Sequence, residues 1–365
     1  MPRRLIRLVR RVKPRPSLEN NPEKLNFLPG LDSKLHPGYE EFEMRGLASK
    51  KTRILVLVGI LLGLLVYKYA SSAGSSNGFD LSNSVLPVNE IRHGGPPRDG
   101  IPALSDPKFV TADQAAYLEP GDRVIGIVVD GESRAYPVPI LNWHEIVNDE
   151  INGRRFAVTY CPLCGTAVAF DANIDGSPTD FGVSGLLYNS DVLLYDRETE
   201  SLWSQIMNQA IAGERVGKKL TALPISHTTW RDWREKHPLG LVLSDDTGYH
   251  RDYRRDPYAG YERSRTIYFS VNNQAPDNYH PKEVVLGLGV DGSYKAYPFI
   301  ELDKQGKSSF SDSVNGTRFN FEWDTDNRSV TVTDSSGQAV AGLQGFWFAW
   351  FAFHPDTEIF KAPGS

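Results

Sequence analysis

"VIGIVVDGESRAYP", residues 124–137, and "VLGLGVDGSYKAYP", residues 285–298, align without a gap and are identical at eight of fourteen positions: Val, Gly, Val, Asp, Gly, Ala, Tyr and Pro. Each stretch is a run of Val, Ile and Leu, then an Asp-Gly pair, then an Ala-Tyr-Pro segment. Asp-Gly between two β-prone runs signals a hairpin, because the favoured two-residue turn needs positive φ at both central residues. Further on, "INGRRFAVTY" from Ile151 matches "VNGTRFNFEW" from Val314 after a two-residue insertion. Asn-Gly opens a second hairpin there in both copies. Self-similarity on this scale predicts an internal duplication. The expected fold is mainly β, a β-rich α+β class, with two related antiparallel lobes near 108–171 and 270–334. Helices are expected to be short, over 111–118, 139–148 and Trp230–Lys236. Gly287, Gly289 and Gly292 spell G-x-G-x-x-G, but a strand follows where a dinucleotide site needs a helix, which argues against that fingerprint.

The two copies part company at one place. The second reads "FNFEWDTDNRSVTVTD" where the first reads "FAVTYCPLCGTAVAFD", and the first holds the chain's two cysteines, Cys161 and Cys164. β-prone residues flank the pair on both sides, so the cysteines are expected at a hairpin tip. Redox Cys-x-x-Cys pairs sit at a helix N-terminus, which lowers the pKa of the first thiol; no helical pattern follows here. A Cys-Pro-x-Cys-Gly hairpin is instead like the knuckle of rubredoxin-like and zinc-ribbon sites, where the glycine lets the backbone aim N–H groups at the thiolates. A closed tetrahedral site needs two further ligands. His144, in "NWHEIVND" with Glu145 beside it, is the nearest candidate. His354, at the end of "FWFAWFAFHPDTEIF" read as an aromatic strand, is the other. Thiolates select Zn, Cu or Fe. Two alternatives use the same residues: a thiol–disulfide redox protein, and a non-catalytic binding or assembly module with a structural cysteine turn. In "GGPPRDGIPAL", residues 94–104, Gly and Pro exclude regular structure, and Arg98 and Asp99 are expected to line a cleft together with Glu145. "GVSGL" around Ser184 lacks the G-x-S-x-G pattern of a serine hydrolase.

"ILVLVGILLGLLVY", residues 54–67, carries no charge and extends to about residue 73 if Lys68 snorkels. About fifty residues precede it, too many for a secretory signal peptide, so a retained signal anchor is expected; "SSAG" after it keeps cleavage open. Residues 1–53 carry 13 Lys and Arg against 6 Asp and Glu. The positive-inside rule then leaves the N-terminus in the cytoplasm and places the rest on the extracytoplasmic, periplasmic side of the inner membrane. The expected organisation is a basic tail (1–53), a transmembrane anchor (54–73), a small and polar linker (74–90) and an exported domain (91–365). Residues 74–365 hold 26 basic and 39 acidic residues, an imbalance that argues against nucleic acid as a partner. Two cysteines cannot make a disulfide scaffold.

Seven segments in fixed order carry a resemblance: "GGPPRDGIPAL", "AYPVPILNWHEIVND", "VTYCPLCGTAVAFD", "GLLYNSDVLLYDRETESLWSQ", "RDYRRDPY", "HPKEVVLG" and "FWFAWFAFHPDTEIF". Together, over about residues 90–360, they resemble the bacterial family called domain of unknown function 3179. That resemblance implies no substrate, cofactor or catalytic residue.

Overall fold

A computed structural model describes residues 75–363 and the helical residues 58–59 and 61–63. The predicted anchor over 54–73 otherwise lies outside the described residues, as does the basic tail. Among the described residues no helix is long and apolar enough to cross a membrane. The fold is mainly β, with several antiparallel sheets and four seven-residue α-helices among the described residues.

The two aligned stretches are hairpins. Arg123–Val129 pairs with Glu132–Pro137 so that Val124 faces Pro137, and Val284–Val290 pairs with Ser293–Pro298 so that Val285 faces Pro298. The turn residues are Asp130 and Gly131 at φ 49° and 84°, and Asp291 and Gly292 at φ 48° and 79°. Both positions are left-handed, which is why Asp-Gly stands there. Pro137 and Pro298 end the second strands in extended backbone, and the chain turns at once into the helices Val138–His144 and Phe299–Gln305.

The neighbours of the hairpins also correspond. Ser226–Thr229 runs antiparallel to 123–129, and Leu241–Leu243 runs parallel to 132–137. Leu343–Phe346 runs antiparallel to 284–290, and Glu358–Ile359 runs parallel to 293–298. Between each pair of flanking strands lies a helix, Trp230–Lys236 or Trp347–Phe353. A tryptophan on each helix, Trp233 or Trp350, lies flat against a strand glycine, Gly126 or Gly287. One further ion pair recurs. Asp149 receives Tyr136 Oη and Arg134 Nη1, both at 2.5 Å, and Asp312 receives Tyr297 Oη at 3.1 Å and Lys295 Nζ at 2.7 Å.

Three local expectations change. Residues 112–118 form turns, with no helix. The helix expected over 139–148 stops at His144, because Glu145 takes φ 58° and reverses the chain into the strand Ile146–Ile151. The aromatic stretch before His354 is the helix Trp347–Phe353, buried at Trp347, Phe348, Ala349, Trp350 and Ala352. A helix apolar all round belongs inside a core, and its bulky residues do not alternate as a half-buried strand would.

One register pair, Gln344 against Ala167, joins the strand Leu343–Phe346 to the cysteine-bearing hairpin in an eight-stranded sheet. Residues 244–283 contain neither strand nor helix. Side chains of helix 138–144 fasten this strap: Asn142 Nδ2 donates to Asp256 Oδ1 and Trp143 Nε1 to the Arg255 carbonyl, each at 3.2 Å, and His144 Nε2 bonds Tyr253 Oη at 2.7 Å.

Candidate metal centre

Cys161 closes the strand Arg154–Cys161 and faces Thr166, the first residue of Thr166–Asp171, so the cysteines do cap a hairpin. The turn is tight: Cys164 N–H donates to the Cys161 carbonyl at 3.2 Å. Gly165 follows at φ 62°, with the Phe346 ring so close that a Cβ would collide with it. Glycine is needed there on both counts.

A second hairpin tip meets the first. Phe181–Tyr188 pairs with Asp191–Asp196 through the two-residue turn Asn189–Ser190, at φ 51° and 67°. This brings Asp191 to the cysteines. One ligand atom from each of Cys161, Cys164 and Asp191 lies within 4.8 Å of the other two. The three residues are 0–1% exposed, and neither thiol is in a disulfide. Both thiols point at the Ser190 carbonyl, Cys164 Sγ at 3.3 Å and Cys161 Sγ at 3.9 Å. Asp191 is held from behind: Ile206 N–H donates to Oδ2 at 3.2 Å, and Thr166 Oγ1 lies 3.4 Å from Oδ1. Thr166 in turn donates to Gln205 at 2.7 Å, and Gln205 to Thr159 at 2.8 Å.

Glu145, buried beside Tyr160, belongs to the same electrostatic neighbourhood, and its carbonyl accepts Tyr160 N–H at 2.7 Å. Burial, and then the charge of Asp191, push its carboxyl up to about 8. Burial pushes Asp191 up to about 7, and raises both thiols. Two thiols and a carboxyl thus converge in a dry place, with the Glu145 carboxyl acting on them, a set that a metal cation would neutralise. Two hydroxyls in the same region add to this. Ser190 Oγ and Tyr261 Oη are sealed from solvent, and among the described residues neither finds an acceptor for its proton.

These shifts have a sign that can be tested. A carboxyl with a folded-state value near 7 or 8, against about 4 unfolded, binds its proton more tightly in the native state. Its contribution is complete below pH 4 and is lost as pH rises through 7 and 8. Metal-free protein is therefore expected to melt lower at pH 8.5 than at pH 5.5. Asp191→Asn should flatten part of that slope; an unchanged slope would show that Asp191 ionises freely in the fold.

The structure does not bring either histidine to the cysteines. His144 Nδ1 bonds the Pro102 carbonyl at 2.8 Å, and Nε2 bonds Tyr253, so one ring nitrogen is spent on the 94–104 loop and the other on the strap. His354 is stacked on Tyr294 at 3.8 Å and packs on Trp350. Neither belongs to the group of ligand atoms around the thiols. His144→Gln is expected to keep metal content unchanged while trypsin cuts faster at Arg251, Arg254 and Arg255. Loss of metal in that variant would restore His144 as a ligand.

Arg98 and Asp99 are engaged elsewhere. Arg98 pairs with Glu200 at 2.7 Å and lies over Tyr195, while Asp99 pairs with Arg197 at 3.0 Å and accepts Tyr195 Oη at 2.5 Å. Ser184 donates to the Leu193 carbonyl at 2.5 Å inside its strand. Asp191 is the residue that sequence reasoning missed. Its one local signal was "YNSD", a turn pair followed by an acid, inside strands that are otherwise apolar.

A cleft of about 910 Å³ lies next to the cysteine turn, with Tyr160, Pro162, Tyr258 and Tyr261 in its wall and Asp245, Asp256 and Glu262 around it. Residues 98–357 match the family model described as "Protein of unknown function (DUF3179)". No curated protein and no solved structure matches the chain.

Proposed function

Since the chain belongs to the family described as Protein of unknown function (DUF3179), and that description assigns no activity, we propose from the site alone that this is a metal-binding protein. Cys161, Cys164 and Asp191 are its protein ligands. One observation carries the reading: two thiols and a carboxyl from two separate hairpin tips share a buried point, each within ligand distance of the others. Two sulfurs and a hard oxygen suit Zn or Fe better than Cu(I), which favours sulfur throughout. The hydrogen bonds behind Asp191 are the kind of outer contacts that orient a carboxylate ligand.

The same observation weighs against the disulfide reading. A cycling pair needs one exposed thiol of lowered pKa, and these thiols are buried and raised. We further propose that the two halves descend from one duplicated unit, supported by the shared strand order and the paired Gly–Trp contacts. We also propose that the domain is tethered to the membrane through 54–73 and faces the extracytoplasmic side, on the charge asymmetry around that segment.

Elemental analysis of the full chain purified without chelator tests the main reading. About one equivalent of Zn or Fe per chain is expected, displaced by excess Co(II) with the absorption of a thiolate-bound ion. A metal-free protein that takes up no Co(II) would end it.

A further inference from the structure

Tyr261 stands between the candidate metal centre and the cleft. Its side chain packs in the same buried cluster as Cys161 and Cys164. It also forms part of the cleft wall, next to Pro162, the residue that follows the first cysteine. The phenol is 2% exposed, and the backbone N–H of Tyr268 is the group that acts on its oxygen. A buried tyrosine hydroxyl nearly always finds an acceptor for its proton, and among the described residues this one has none.

The hydroxyl is also held in place. Lys282, 5% exposed, donates through Nζ to the Ser264 and Thr266 carbonyls at 2.5 and 2.7 Å and lies 4.1 Å from the centre of the Tyr261 ring. No carboxylate pairs with this lysine among the described residues. Its three bonding directions are used to fix the 261–266 segment rather than to answer a charge.

The ligand count points the same way. Three protein atoms converge, one fewer than a closed tetrahedral site uses, and an open fourth position is the mark of a site that takes a ligand. We propose that this fourth position opens toward the cleft and accepts a neutral oxygen donor, a carbonyl or hydroxyl compound, to which the Tyr261 hydroxyl gives a hydrogen bond. This rests on the metal reading above. The class of ligand follows from the wall. The cleft lining carries six Asp and Glu against three Arg, namely Arg123, Arg251 and Arg254, so its net negative charge disfavours anions relative to neutral molecules.

The test uses the full chain loaded with Co(II), with acetamide as a neutral carbonyl donor and azide as an anion. In the wild type, acetamide is expected to change the visible Co(II) spectrum saturably, and azide to do so only at much higher concentration. Tyr261→Phe should keep its Co(II) and bind acetamide roughly tenfold more weakly, the loss of about one hydrogen bond. Failure of the wild type to bind Co(II) would sink the metal reading itself. Co(II) bound but indifferent to acetamide would overturn the open position, and needs no variant. Equal affinity in Tyr261→Phe would remove the tyrosine from the site, and tighter binding of azide than of the neutral donor would overturn the ligand class.

Discussion

Cys161→Ser and Cys164→Ser are each expected to abolish metal binding and to lower the melting temperature of the metal-loaded protein by about 10 °C. The size follows from linkage: an ion at a thousand times its Kd stabilises the fold by about 4 kcal/mol, and each kcal/mol is worth about 2–4 °C in a domain of this size. A hydroxyl is a poor ligand for a soft or borderline ion, and the remaining thiol and Asp191 cannot hold it alone. Asp191→Asn should weaken binding while leaving the thiolates in place. The control is the same set of melts after chelator treatment. There the serine variants should differ from the parent only by the cost of burying a hydroxyl, about 1–3 kcal/mol. Equal differences with and without chelator would show that the cysteines serve packing and not a metal.

The second large effect is expected far from the thiols. Gly126→Ala and Gly287→Ala should each destabilise the protein by about 3 kcal/mol, the upper range for overpacking a well-filled core. A Cβ at either position would fall inside the ring of the facing tryptophan. Neither ring can yield, because Trp233 and Trp350 are only 2% and 4% exposed. Trp233 is further packed on His237 at 4.0 Å, and Trp350 on His354 at 4.2 Å. Urea unfolding measures the cost directly. The two variants should resemble each other, since in each case a tryptophan ring from a seven-residue helix lies against the strand glycine; a loss below about 0.5 kcal/mol, the usual size of an uneventful surface change, would mean that the rings shift freely.

The hairpins were legible in the sequence because a turn is a local problem. Asp130-Gly131, Asn152-Gly153, Asp291-Gly292 and Asn315-Gly316 all take positive φ, and few other dipeptides tolerate that. The mainly β class and the placing of the cysteines at a hairpin tip followed from the same chemistry. The short helix Trp230–Lys236 was visible too: Thr229 stands before it, and its side chain accepts Asp232 N–H at 3.3 Å as a cap.

What lies across the chain was not legible. Trp347–Phe353 has no polar face to mark its period, so a buried helix and a buried strand read alike. His144 is close to the cysteines in sequence, yet the reversal at Glu145 turns its ring toward the strap. Asp191 is far from Cys161 in the chain, and only the meeting of two hairpin tips makes it a neighbour. Turn chemistry acts over two to four residues, so the sequence by itself determined the hairpins. Which side chains meet is a matter of which tips the sheets bring together, and that the tertiary structure alone decided, through long-range strand register and the burial that encloses Cys161, Cys164 and Asp191 together.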